Sequence, residues 1–259
     1  MADSRMLNLI RSEVRKTRST QVWLWMILPA VALTALSTIG TVYGSVQDHE
    51  SSGEAIRYYD IFTQSSSAAV ALLVIGILGL TTEFRHKTIT PTLLATPQRW
   101  LLLAGKAISY VTFSLFYAAI CVVVNFAIAI IWLDAKNLPV DLGHGVPWGV
   151  VKAFLALVLV ALFGLGLGAL IRNQAASMVV GILYFSIISG LLSVIPWVRR
   201  GYPYTPGGAI AAFTSNGRQS GAFPDVHPLA PILGGLLFLG WGLVLLAAGG
   251  GLSLNRDIS

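Results

Sequence analysis

The chain is poor in the residues from which most active sites are built. It has one cysteine, four histidines and only 11% charged residues among 259, against 55% hydrophobic, whereas soluble domains carry roughly 25% charge. One cysteine allows no intrachain disulfide, and Cys121 lies inside an apolar run, where it reads as a small buried filler. The histidines, His49, His86, His144 and His227, are scattered through the polar connections, so they lack metal-ligand spacing. None can serve a serine nucleophile at membrane depth, which excludes an intramembrane protease of that kind. No Gly-x4-Gly-Lys-Ser/Thr sequence occurs, and the glycine-rich stretch 164–168 lacks both the preceding strand and the following lysine of a phosphate loop.

What the chain has instead is long apolar runs. A mean hydropathy of +0.75 marks an integral membrane protein. Six uncharged runs, 22–43, 61–80, 107–133, 153–171, 178–197 and 229–252, are each long enough to cross a bilayer as a helix. They predict spans at about 22–43, 61–80, 101–133, 150–171, 177–197 and 229–252 in one all-α transmembrane domain covering 1–259. Solid apolar blocks of this length exclude a β-barrel, whose strands alternate. The first run is of spanning length and follows a basic stretch, so it is expected to be retained rather than cleaved as a signal. The runs as drawn contain no ionisable side chain, although proton relays and many ion-coupled carriers need one. The power for any transport is therefore expected from elsewhere.

Charge sets the expected topology. With both termini cytoplasmic, 11 of the 17 basic residues lie inside and seven of the 11 acidic residues outside, which satisfies the positive-inside rule. The net charge of +6 is then membrane orientation, and no polar segment is long enough to form a nucleic-acid face. Residues 4–20 place Met6, Leu7, Leu9, Ile10 and Val14 opposite Arg11, Arg15, Lys16 and Arg18, predicting a helix that lies flat on the cytoplasmic surface.

Inside the spans, Pro29 is expected to kink the first helix. Thr34, Thr38, Thr41 and Ser45 form a small polar stripe on that helix, and Ser186, Ser189 and Ser193 form another on the fifth. Each stripe either packs helix on helix or lines a transport path. Glycines at 76, 79, 164, 166 and 168, and again between 234 and 251, read as close helix packing. The segment 198–228 is rich in Gly and Pro but holds an apolar island at 209–213, which predicts short helices dipping back under protein cover, with a solvated loop as the alternative.

Residues 83–100 are a dense charged handle between two apolar runs. Thr90-Pro91 and Thr96-Pro97 each set a capping hydroxyl before a proline, predicting a short helix over 91–95 and the start of the third span at Pro97. Glu83, Thr88, Leu93, Leu94, Thr96-Pro97, Arg99 and Lys106 resemble the pattern between the second and third spans of ABC-2-type permeases, the membrane subunits of ATP-binding-cassette exporters. The stretch 12–20 is similar to the start of bacterial, especially actinobacterial, members, and 164–176 resembles the end of their fourth span and the turn into the fifth.

The resemblance implies a six-span permease that pairs with a second protomer, identical or homologous, and with two cytoplasmic ATPase subunits that carry ATP and Mg. The chain itself would be no enzyme and would hold no cofactor or metal. Glu83, Phe84, Arg85, His86, Lys87, Thr88, Ile89, Leu93, Leu94 and Arg99 would form the main coupling contact, Arg172 and Asn173 a second, and the N-terminal helix a third. Thr34, Thr38, Thr41, Ser186, Ser189 and Ser193 would line the path or pack the dimer. The implied setting is the inner (plasma) membrane, and the implied cargo a hydrophobic or amphipathic drug, lipid or peptide. The rival expectation is an ATPase-independent channel or secondary carrier.

Overall fold

The computed structural model describes residues 22–86, 99–143, 145–215 and 229–253. Among them are six helical segments long and apolar enough to span a membrane and no β-strand. The first is α1 (Val22–Ser52), a single helix running through Pro29. A short helix α2 (Tyr58–Phe62) and a 3-10 turn (Gln64–Ala68) lead into α3 (Ala69–Arg85). Then follow α4 (Arg99–Ala135) and α5 (Val146–Ile171). The fifth span joins α6 (Gln174–Leu183) to α7 (Ser189–Val194) through a π-helical turn (Tyr184–Ile188). After a 3-10 turn (Tyr202–Tyr204) and α8 (Pro206–Thr214), α9 (Pro231–Ala248) makes the sixth span.

Helices α3 and α5 form the centre, each with 61% of its most apolar stretch buried, against 17–33% for the other four spans. Glycine allows this. A Cβ at Gly76 would collide with the Ala161 carbonyl, and one at Gly164 with the Leu73 carbonyl. The two backbones therefore touch directly, as helices do in hydrocarbon when small residues replace the missing hydrophobic drive. Gly166 admits the Gly242 carbonyl in the same way, which seats α9 on the far side of α5. Around this pillar Leu72, Tyr117, Ala118, Cys121 and Leu157 pack with Ala30, so Cys121 is the buried filler its position implied.

The spans differ from the sequence expectation in two respects. The second span, drawn from residue 61, is broken there, because Ser66 and Ser67 donate their hydroxyls back to Thr63 O and Gln64 O and tighten the chain into a 3-10 turn. Asn125 of α4, fully buried, stitches the break by accepting from Ser65 N at 3.2 Å and donating to Ile61 O at 2.9 Å. The helices also run past the charge-free runs into charge: α3 contains Glu83, α4 contains Lys106 and α5 contains Lys152. The reading that the spans hold no ionisable group is corrected to this extent. At 1.5 Å per residue α4 is about 55 Å long, well beyond a hydrocarbon core of roughly 30 Å, so such residues occur near span ends.

The segment between the fifth and sixth spans is partly helical, as its composition implied. Helix α8 buries Gly207, Gly208, Ala209, Ala212 and Phe213, with Gly234 of α9 lying against the Ala209 carbonyl.

Gly76→Ala or Gly164→Ala should lower the thermal midpoint of the purified protein by roughly 2–10 °C, the range for overpacking a tight contact. Gly40→Ala, where a Cβ meets nothing within 4 Å, should leave it unchanged. The buried Cys121 makes a thiol-reactive dye the reporter of unfolding.

Candidate coupling site and its opposite face

The described ends of the charged handle meet in a buried ion pair. Lys106 Nζ lies 3.0 Å from Glu83 Oε1, with the side chains only 1% and 3% exposed. Glu83 sits in the last turn of α3 and Lys106 two turns into α4, so the pair closes the base of the 86–99 connection. Buried ion pairs add little net stability, because desolvation offsets attraction, but leaving one charge alone is strongly unfavourable. An arrangement of the two helices that separated the pair would leave a bare buried charge. Glu83 is thus placed to hold the handle from within, not to present its carboxylate at the surface.

The exposed end of α3 reaches the next turn. Arg85 Nη1 donates to Gln174 Oε1 at 3.3 Å, and the Arg172 guanidinium lies 6.0 Å from the Phe84 ring centre. The 172–173 turn is tight. Arg172 takes a left-handed φ of 58° and its amide bonds to Gly168 O, ending α5. Asn173 then caps α6, its Oδ1 accepting from Ala176 N at 3.1 Å. Phe84, Arg85, Arg172 and Asn173 are thereby gathered on one face, with His86 exposed at the end of α3. Arg99 opens α4. Lys87, Thr88, Ile89, Leu93 and Leu94, the expected helix over 91–95 and the expected N-terminal helix lie outside the described residues.

The two small polar stripes behave differently. Thr34 and Thr38 are fully buried and donate to Ala30 O at 3.0 Å and Thr34 O at 2.7 Å, so their hydroxyls are used by their own helix. Farther along, Thr41 accepts from Gln64 Nε2, and Ser45 Oγ accepts from Arg57 N at 2.9 Å, which fastens α1 to the α2 region. Within this chain that stripe packs. The serines of the fifth span do not share one environment: Ser186 is exposed, Ser193 donates to Gly190 O at 2.6 Å, and Ser189 is buried against Gly207 at the start of α8.

The opposite face carries a second tie that sequence reading missed. Lys152, just before the charge-free run 153–171, is in the second turn of α5, only 4% exposed, and donates to Ser215 O at the end of α8. Tyr59 OH donates to Thr214 O at 2.9 Å, and the Lys152 ammonium lies 5.7 Å over the Tyr59 ring. Burial foremost, and then the Asp60 carboxylate, push the Tyr59 phenol above its ordinary value, so it remains a donor at any physiological pH. A cation and a phenol at carbonyls left free by the end of a helix are favourable both as hydrogen bonds and against the helix dipole. The signal available in the sequence was a lysine at the edge of an apolar run, which fits an interfacial charge equally well.

Glu83→Gln or Lys106→Met alone should destabilise the protein by about 3–5 kcal/mol, while Glu83→Met with Lys106→Met should recover most of the loss. Thermal unfolding of the four proteins in detergent checks this, and equal losses in single and double variants would contradict it.

Compared with known proteins, the chain matches no family model and no curated protein.

Proposed function

We propose that this chain is the transmembrane permease subunit of an ATP-driven ABC exporter, forming half of a translocation path for a hydrophobic or amphipathic compound. The observation that carries the reading is the gathering of Phe84, Arg85, Arg172 and Gln174 on one face above a buried Glu83–Lys106 pair. A partner that moves this face moves α3 and α4 together, because the pair couples them. Helix α3 in turn takes α5 with it through their glycine contacts, and α5 reaches α2 and α8 on the opposite face through Lys152 and Tyr59.

ATP hydrolysis, on this reading, takes place on two separate cytoplasmic subunits that bind the 86–99 connection and the 172–173 turn. Nucleotide then biases the membrane helices between two arrangements. A second protomer supplies the other half of the path, and both termini lie on the cytoplasmic side of the plasma membrane.

A gradient-driven carrier is the second reading, favoured by the ionisable groups now found in the spans. Those groups sit at the two ends of the helices, however, and each already has a partner. A relay needs groups through the middle, and residues 107–133 and 153–171 carry none.

Proteoliposomes holding the chain and its co-isolated ATPase should take up a fluorescent amphiphile only with ATP, and vanadate should abolish uptake. Replacing 91–95 by a Gly/Ser stretch of equal length should abolish uptake with the spans still folded. Uptake that needs no ATP and follows an imposed proton gradient would establish the carrier reading instead.

A further inference from the structure

On the face that carries α2 and α8, an open recess of about 350 Å³ lies between α1 and the start of the second span. Its floor is Gly40 and Gly44, where an added Cβ would meet nothing within 4 Å. Arg57 and Asp60 stand at its rim, and Thr41 and Gln64, hydrogen-bonded to each other, line its wall. Arg57 is fixed in place: its Nη2 lies 3.1 Å from Asp48 Oδ2, and its amide bonds to Ser45 Oγ at 2.9 Å. The guanidinium still presents about half its surface, being 51% exposed. Asp60 is exposed and, among the described residues, forms no ion pair.

The recess has an apolar continuation. Leu33, Leu36, Gly40 and Gly44 follow one another at intervals of three and four residues, so they share one face of α1. Leu36 is 71% exposed and Leu33 is exposed as well. The charge-free part of α1 runs to Gln47 and Asp48 follows, so Gly44, about one turn before the first charge and about 22 residues into the helix, lies near the depth of lipid head groups. A cation and a carboxylate lining one recess at that depth, next to an apolar face of α1, match a molecule with a phosphate, a nearby ammonium and an acyl chain.

We propose that this recess binds the head group of a zwitterionic phospholipid bearing a primary amine. The phosphate meets the Arg57 guanidinium, the ammonium meets Asp60, and one acyl chain lies over Gly40 and Leu36. An ammonium with three N–H donors can bond the Asp60 carboxylate and the Gln64 carbonyl together, which a trimethylated amine cannot. An anionic head group without an amine would set its charge against Asp60 and leave the carboxylate unmatched. The site does not depend on the exporter reading, because it needs neither ATPase nor transport.

The test uses the purified chain in nanodiscs of equal parts phosphatidylethanolamine, phosphatidylcholine and phosphatidylglycerol, with native mass spectrometry reading the lipids retained on release. Phosphatidylethanolamine should be retained over both others. Asp60→Asn should reduce its retention about tenfold, the factor expected for one charge-assisted hydrogen bond. Gly44→Leu, which fills the floor and leaves every polar group in place, should do the same and decides the matter if Asp60→Asn does not fold. Equal retention of phosphatidylglycerol or phosphatidylcholine, or retention of phosphatidylethanolamine unchanged by Gly44→Leu, would overturn the proposal.

Discussion

The direct contact of the α3 and α5 backbones at Gly76 and Gly164 is the constraint on which the rest of the structure depends. Lipid tails are as apolar as leucine, so helices in a bilayer gain nothing by hiding leucine from their surroundings and must associate by close fit. Removing the side chains at these two crossings lets carbonyls of one helix pack into the surface of the other. Once α3 and α5 are joined, α4 and α1 close over one side through Tyr117, Cys121 and Ala30. Helix α9 closes the other through the stacked rings of Phe163 and Phe238, 5.3 Å apart. The peripheral helices keep large exposed faces, as Leu36, Val123 and Val194 show, which suits contact with lipid or a second protomer.

Each end of this pillar is tied by a charge that has left water. At one end Glu83 and Lys106 neutralise each other; at the other Lys152 binds the carbonyl end of α8. Neither tie is an efficient source of stability, because desolvation offsets much of the attraction. What a buried charge provides is discrimination between arrangements: a displaced partner leaves a bare charge, so the helices hold one register or change to another as a unit. That property is what the proposed permease, driven from a soluble subunit, would need. The pillar is stiff in the middle and specified at both ends.

The six spans were legible because each is a long run without charge, a signal that depends on the solvent and hardly at all on tertiary contacts. The close-packing glycines were legible for the same reason, since 164–168 in the middle of an apolar run has no other use. The ends were not. Glu83, Lys106 and Lys152 stand at the margins of apolar runs, and sequence cannot tell a charge that meets water from one that turns inward to a partner on another helix. Asn125 was invisible as a signal, since its role depends on a helix break at Ser65 on another span. The threonine and serine stripes looked alike by spacing yet divide in the fold, because burial is set by neighbouring helices and not by period. Within the handle and its flanks, Glu83 and Lys106 turn inward as a tie next to the 172–174 turn, and residues 87–98 lie outside what the structure describes.

The central claim is that force enters this membrane domain from a soluble ATPase at the face bearing the 86–99 connection and the 172–173 turn. A cryo-electron microscopy map of the complex, cross-linked in its native membrane before extraction, tests it most directly. The account predicts two soluble ATPase bodies seated on that face, in contact with Arg85 and Arg172. A map in which that face is bare, or in which soluble density covers only α2 and α8, would contradict it.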